Sequence, residues 1–270
     1  MMRINSDVDQ LDHGFSGRRQ VCCLLLLLLF SLFCLASVPH AWAAITCDTV
    51  QSSVTEADPQ DVSYTVGTTS TSNRVVIVQT GSRGETGDVV GVTFDGVAMT
   101  QIGTTALHTT SNPDIGSALW IKTGVSSGTY PVSVDWTGTI LSSTVVVYTC
   151  YGVDQTTPVR AGSPNTATAS ATSVSVAISS AVGDLVIDGV NVGSLGAGAA
   201  PAMGASQTEI YAGCIANSGD NQDTCGSTEP GAASVTMSWS AGTSENWATV
   251  GASLVAAAAG RGNRRVIELP

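Results

Sequence analysis

Residues 92–99 read Val-Thr-Phe-Asp-Gly-Val-Ala-Met, in which two short apolar runs flank a central Asp-Gly pair. Asp-Gly supplies the two positive-φ positions of a type I′ turn, the favoured connection of a two-residue β-hairpin. The flanking valines, threonine and phenylalanine favour extended strands. This stretch therefore predicts a tight antiparallel hairpin.

The same alternation of apolar and polar residues recurs along the chain, bounded each time by Gly, Asn, Asp or Ser. Helical periodicity is absent after the N-terminal region. We predict an all-β protein with about a dozen short strands, arranged as a two-sheet, jelly-roll-like β-sandwich. The clearest alternating segments are 75–78, 117–122, 132–136, 185–192 and 235–239.

An internal duplication is predicted from segments that resemble each other in the same order. The matched pairs are 63–66 with 173–176, 74–78 with 184–188, and 131–138 with 234–241. Chance similarity among strands made of Val, Ser and Thr is the alternative. The common order favours duplication, with repeat units of about 62–153 and 172–257.

The number of domains has two interpretations. We favour one domain over residues 44–257 whose halves interleave, because the stretch 156–171 between the units is short. The second unit also has few predicted strands, and small isolated sheets bury too little surface to fold well. Two small tandem sandwiches are the alternative.

The N-terminal region has the three parts of a secretory signal peptide. Arg18 and Arg19 precede an apolar run over 21–38, and the small-x-small site Ala-Trp-Ala follows at 41–43. We predict that residues 1–43 are the signal peptide and that the product is secreted or at the cell surface. An uncleaved anchor is the alternative, since the run is long enough to span a bilayer, and membrane contact is then through this segment alone.

Charge restricts the partners. The chain has a formal net charge of −11 at pH 7, which disfavours nucleic acid and anionic lipid as partners.

Residues 258–270 contain three arginines and are predicted to form a flexible basic tail. Lys122, the single lysine, ends an apolar strand. A lysine that reaches solvent explains it more simply than an intramolecular isopeptide bond does.

Four cysteines follow the predicted signal peptide, at positions 47, 150, 214 and 225. An even number in an exported chain indicates disulfides, with three connectivities available. We predict Cys214–Cys225, closing a polar loop, and Cys47–Cys150, tying the mature N-terminus to a central strand. A metal site is the alternative, but the spacing lacks the close pairs that such sites use.

A calcium site is the one cofactor suggested by the residues. Oxygen-bearing side chains crowd the loop near the last two cysteines, at Asp220, Asn221, Asp223 and Glu229. Hard oxygen ligands suit Ca²⁺. Their spacing matches no defined calcium loop, and polar residues also crowd ordinary turns. No other cofactor is predicted.

Catalytic machinery is not recognisable. After the signal peptide there is one histidine, His108, which we predict to be solvated in a Thr-rich loop, and there is no Gly-x-Ser-x-Gly elbow. Asp184 and Asp188 would lie about 13 Å apart on one strand, too far for a glycosidase pair. We predict that the protein is not an enzyme.

The tryptophans divide into two groups. Trp136 and Trp239 occupy matching repeat positions within alternating strands and are predicted to lie in the core. Trp247, with Glu245 and Asn246 beside it, is the better candidate for a contact with a glycan.

Several short motifs occur together: Asn73–Ile77, the Gly96–Thr100 hairpin, Ala118–Trp120, Tyr151–Pro158 and Gly183–Val186. Their combination resembles a widespread, largely uncharacterised group of modules in secreted bacterial exoproteins. The resemblance covers most of residues 62–257. It implies a β-sandwich exported from a bacterium and assigns no functional residues.

These features favour a structural or adhesive module that binds an extracellular protein or surface. A carbohydrate-binding module or lectin, with a glycan as partner, is the first alternative, and a glycoside hydrolase is a weaker one. Exposed coplanar aromatics would favour the sugar-binding function, and converging carboxylates would favour the enzyme. Exposed edge strands would favour assembly.

Overall fold

The computed structural model describes residues 44–55, 58–68, 73–84, 88–109, 114–193, 201–211, 214–217 and 222–258. Contacts divide the chain into Met1–Ala41 and Trp42–Pro270, and every described residue belongs to the second unit. The predicted signal peptide, 1–43, and the predicted tail beyond Ala258 lie outside the described residues.

The all-β class predicted from the sequence is confirmed, because every regular element in the described part of the chain is a strand. No helix in this part is long and apolar enough to cross a membrane. The N-terminal half, residues 46–151, contains ten strands. They are β1 Thr46–Thr55, β2 Gln60–Val66, β3 Val75–Gly84, β4 Asp88–Phe94, β5 Val97–Ala98, β6 Thr100–Gln101, β7 Ala106–His108, β8 Asp114–Thr123, β9 Gly128–Thr137 and β10 Ile140–Tyr151.

The C-terminal half, residues 165–254, contains seven strands, two of them long. They are β11 Asn165–Ser179, β12 Leu185–Gly193, β13 Ala202–Met203, β14 Thr208–Glu209, β15 Ile215–Asn217, β16 Gln222–Pro230 and β17 Ser234–Leu254.

Two antiparallel sheets form the N-terminal half. One has the order β1-β10-β3-β8-β6, with β7 also paired to β8, and the other has the order β2-β9-β4-β5. Successive strands from β1 to β4 alternate between the two sheets. That alternation is compatible with a jelly roll, which stays a prediction.

The predicted hairpin at 92–99 joins β4 to β5. Asp95 and Gly96 have φ values of 53° and 70°, and Phe94 pairs with Val97 across the turn. The apolar sides of β2, β4 and β9 face the six-stranded sheet and form a core that includes Tyr64, Phe94 and Trp136. Period-two alternation on β2 therefore places one side in this core and the other in solvent.

The C-terminal half builds its sandwich by bending two strands. The first part of β11, 165–171, pairs with the end of β17, and its second part, 173–179, pairs with the beginning of β17. A register shift after Ala171 separates the two parts. The second part of β11 and the beginning of β17 cover β12 and β16 and enclose Trp239 and Trp247. The seven-stranded sheet has the order β11-β17-β12-β16-β14, with β13 on β17 and β15 on β16.

The two halves use the same strand order. The neighbours β1, β10, β3 and β8 of the first half correspond to the first part of β11, the end of β17, β12 and β16 of the second. Each half keeps its strands to itself, so the halves do not interleave as we expected. The described residues form three sheets rather than two, because the N-terminal half has two sheets and the C-terminal half has one, which the long strands β11 and β17 keep continuous.

The six-stranded and seven-stranded sheets face each other across a core in which apolar residues such as Ile77, Ile187 and Val250 meet. Polar side chains also cross this interface. Gln79 of β3 lies over Gly189 of β12 and donates to the Cys225 carbonyl at 2.8 Å. Each half thus inserts side chains into the other.

Asn191 of β12 lies over Gly81 of β3 and is fully buried. Its Nδ2 donates to the carbonyls of Ser82 at 2.8 Å and Gly116 at 2.9 Å. The side chain of Asn191 therefore bonds to two neighbouring strands of the opposite half.

Candidate binding cleft

An open cleft of about 590 Å³ lies beside the free edge of the six-stranded sheet. Three pieces of the chain line it: the segment 98–103, which contains the end of β5 and all of β6, the end of β8, and the linker 155–164 between the halves. Ile102, Ile121 and Val159 supply apolar surface, and threonines, glutamines and two basic residues supply the polar surface. The cleft thus combines the N-terminal half with the linker.

Strand β6 forms one wall because it is the last strand of its sheet. Thr100 pairs with Ile121 and Gln101 pairs with Trp120, so β6 has one neighbour and leaves its other edge in the cleft. Lys122 follows on β8, opposite Val76 of β3, and is half-buried. Its stem therefore lies along the wall of the cleft.

Hydrogen bonds from side chains to the backbone fix the conformation of the linker. Asp154 accepts hydrogen bonds from the backbone amides of Thr156 at 2.8 Å and Thr157 at 2.9 Å, an Asx turn. These amides, that of Thr157 first, lower the pKa of Asp154. Gln155 accepts from the Gly124 amide at 2.8 Å and donates to the Val153 carbonyl at 2.9 Å. The linker is thereby tied to the end of β8.

Arg160 attaches the other end of the linker to the C-terminal half. Its guanidinium donates two hydrogen bonds to Asp184, from Nε at 2.5 Å and from Nη2 at 2.9 Å. Burial acts to raise the pKa of Asp184, but hydrogen bonds from Arg160 and Ser253 outweigh it and leave the pKa lowered. Asp184 therefore stays ionised as the partner of Arg160.

Positive charge prevails in the cleft. Lys122 and Arg160 line it, and none of its lining residues is Asp or Glu, although Asp184 outside the lining balances the charge of Arg160. Only four basic residues occur among the described residues, whereas the chain as a whole carries a net charge of −11. The cleft is therefore a local exception to the acidic surface.

The cleft lining is made of small apolar, hydroxyl, amide and basic residues. The lining residues include neither His nor Cys nor a carboxylate, which are common general bases. The hydroxyls, amides and one lysine can instead form hydrogen bonds and an ion pair with a ligand.

Both predicted disulfides are present. Cys47 bonds to Cys150 across the β1–β10 pair, and Cys214 bonds to Cys225 of β16. They are consistent with an extracellular protein, because disulfides persist in oxidising compartments. Trp136 and Trp239 are buried as predicted, with 4% and 3% of their surface exposed.

The interpretation of Trp247 as a glycan contact is wrong. Its indole is fully buried, and Nε1 donates to the Ala171 carbonyl at 2.7 Å. Glu245 is buried beside it and accepts from the Thr243 hydroxyl. Asn246 accepts from Ser170 at 2.8 Å. The pairing of β11 with β17 shifts register between Ser240 and Glu245, and the residues that follow are mostly buried, which the polar sequence Ser-Glu-Asn did not suggest.

The predicted calcium ligands do not all converge. Asp223 and Glu229 lie six residues apart on β16, a separation of about 20 Å along a strand. Asp220 and Asn221 lie outside the described residues. Glu229 therefore does not belong to a site with Asp223, and the described residues hold no cluster of three His, Cys, Asp or Glu able to bind a metal ion.

His108 is buried rather than solvated, because β7 brings it against the C-terminal half. Its Nε2 lies 3.0 Å from the Ser170 hydroxyl. Asp188 is fully buried and accepts from Trp239 at 2.7 Å and from Ser227 at 2.8 Å. Burial raises the pKa of Asp188 to about 6 despite these bonds. Asp184 and Asp188 thus serve separate structural contacts.

Sequence analysis did not single out Arg160 or Thr100 as site residues. A signal for the cleft was nevertheless present, because two of the motifs that carry the resemblance line it. Ala98 and Thr100 come from the hairpin motif, and 155–158 come from the motif that follows β10.

No protein-family model, no curated protein and no solved structure matches this chain.

Proposed function

We propose that this chain is a secreted bacterial adhesive or structural module that binds an extracellular protein or surface through the cleft at Lys122. The observation that carries the proposal is the construction of the cleft. Segments of two motifs meet there and leave an open surface that carries Lys122 and contains neither His nor a carboxylate. The cleft suits recognition better than reaction.

Export and origin belong to the same proposal. The signal-peptide pattern at 1–43 and the two disulfides support secretion. The motif combination supports membership of the bacterial exoprotein modules that the sequence resembles. The equal strand order of the halves supports a duplication. The duplicated unit then also includes β1 in the first half and the first part of β11 in the second, which lie before the repeat units predicted from the sequence.

Of the two alternatives, only carbohydrate binding has an observation in its favour. Hydroxyls and amides surround the cleft and suit sugar hydroxyls, although no aromatic residue lines it. A glycoside hydrolase has less support, because Asp184 is engaged with Arg160 and Asp188 is enclosed in the core. We expect purified protein to hydrolyse no polysaccharide, ester or peptide above a heat-denatured control.

Binding can be tested with labelled mature protein on arrays of glycans, extracellular matrix proteins and bacterial envelopes, with and without calcium. Saturable binding to one class is expected. Ala161→Trp should abolish it, because Ala161 is exposed in the cleft lining and a tryptophan there would occupy the cleft.

Ala177→Trp is the matched control, since Ala177 is exposed on β11 outside the cleft. It should bind as the parent protein does. Binding that survives Ala161→Trp, or an array without any saturable signal, would contradict the proposal. A hydrolytic activity lost in Asp184→Asn would replace it with an enzyme function.

A further inference from the structure

The two basic residues of the cleft differ in their freedom to meet a ligand. Arg160 already donates from Nε and Nη2 to Asp184, so its charge is compensated within the protein. Lys122 has no acidic partner among the described residues and is half-buried at the strand end. One uncompensated positive charge therefore faces the cleft.

We propose that the cleft binds an acidic polysaccharide and that Lys122 pairs with the carboxylate of a uronate unit. This inference rests on the proposed function, and it takes the polysaccharide to be the component of an extracellular surface that the cleft recognises. A lysine ammonium is a point charge with three donors on a flexible stem, which suits a carboxylate on a sugar ring. Partial burial of the stem reduces solvent screening of the pair.

Neighbouring side chains match the remaining groups of such a polymer. The hydroxyls of Thr100 and Thr156 are exposed on opposite walls of the cleft, and Gln101 stands beside Thr100. These groups donate and accept hydrogen bonds, as the hydroxyls of a sugar require. A repeating chain of hydroxyls and carboxylates thus meets complementary groups along the open cleft.

An acidic peptide fits less well. A peptide usually joins a sheet by pairing with an exposed strand edge. The edge available here is β6, which is only two residues long. A neutral glycan also fits less well, because the cleft lining contains no aromatic ring on which a sugar could stack. Charge and hydroxyl groups therefore favour the acidic glycan.

Isothermal titration calorimetry of the mature protein with oligogalacturonate tests this inference. We expect saturable binding that weakens from low salt to about 0.15 M salt, because exposed ion pairs are screened over about 8 Å at that ionic strength. Lys122→Gln should weaken binding at least tenfold. A fully methyl-esterified oligogalacturonate of equal length, which lacks the charge, should not bind.

Arg83→Gln is the matched control, because it removes one positive charge from β3 outside the cleft lining. It should bind within about twofold of the parent, a change below about 0.5 kcal/mol in binding free energy. Thermal unfolding of both variants checks that they are folded. Equal affinity of the parent and Lys122→Gln would overturn the inference, as would equally tight binding of oligoglutamate.

The two proposals can fail separately. A ligand on the arrays whose binding is blocked by Ala161→Trp, together with no binding of oligogalacturonate, would overturn the acidic-glycan inference and leave the binding module standing. An array and a titration that are both negative would overturn both.

Discussion

Replacing Asn191 with alanine should strongly destabilise the protein, because this side chain joins the two halves. It accepts from Gln222 at 3.1 Å and from Thr224 at 3.2 Å, besides its two bonds to carbonyls of the other half. All four bonds lie out of contact with solvent. At about 1 kcal/mol for each net hydrogen bond, the loss is about 4 kcal/mol.

The control is Asn165→Ala. Asn165 is exposed at the start of β11, donates to the Ala177 carbonyl at 2.9 Å and accepts from the Thr166 amide at 2.9 Å. Water can replace both bonds, so the loss should stay below about 1 kcal/mol. The midpoint of thermal unfolding should fall by roughly 8–16 °C in the Asn191 variant and by a few degrees in the control.

Urea unfolding followed by tryptophan fluorescence, with both disulfides oxidised, measures the free energies. The buried indoles of the two halves report on the loss of both cores. A difference of less than about 1 kcal/mol between the two variants would refute the argument that Asn191 links the halves.

Three further predictions concern the core. Gly189→Ala should lower the free energy of unfolding by about 1–3 kcal/mol in the same urea assay, because a Cβ would stand 2.8 Å from the side chain of Gln79. Gly91→Ala is the control and should be nearly neutral, because no atom lies within 4 Å of its added Cβ. Replacing Cys47 and Cys150 together by serine should remove about 4–5 kcal/mol by the chain-entropy model for a separation of 103 residues, and equal stability of the double variant in urea would contradict it. Asp188 has a folded pKa of about 6, above its unfolded value, so it binds protons more tightly when folded and its contribution is lost as pH rises from about 4 to 6. Relative to Asp188→Asn, the parent should lose about 3 kcal/mol over that interval, and parallel stability curves would contradict the assignment.

Local chemistry made much of the fold predictable. The Asp-Gly pair specified a hairpin, and alternation on β2 specified which side chains enter a core. Trp136 and Trp239 followed from alternation as well. The disulfides were predictable because few pairings exist for four cysteines, and loop closure favoured one of them.

The contact between the halves was not predictable from local pattern. Strands β3 and β8 are covered on both sides, so Gly81, Ser82 and Ser117 are buried although their sequence is typical of a solvent-facing edge. Small polar side chains fit there because they bond to backbone of the facing sheet, as Ser117 does to the Gly189 carbonyl at 3.1 Å. Such bonds depend on tertiary pairing and leave no periodic signal.

The cleft escaped prediction for a related reason. Its walls come from a two-residue strand and from a linker that the sequence indicated only as a short connection. Arg160 acquires its place through Asp184, 24 residues further along the chain. The only sequence signal for both walls was the pair of resemblance motifs that contain Thr100 and residues 155–158.

The glutamine and asparagine that cross between the halves prevent either half from packing against a second copy of itself. Gln79 and Gly189 occupy equivalent positions, as do Gly81 and Asn191, each pair 110 residues apart. In a pair of two N-terminal halves, Gln79 would face a second Gln79 and Gly81 would face a second Gly81. The two glutamine side chains would clash, and the space between the two glycines would be empty. Unlike halves of two separate chains would still be complementary. The short linker 155–164 favours pairing within one molecule over exchange between molecules, and its length is the feature through which such exchange could be engineered.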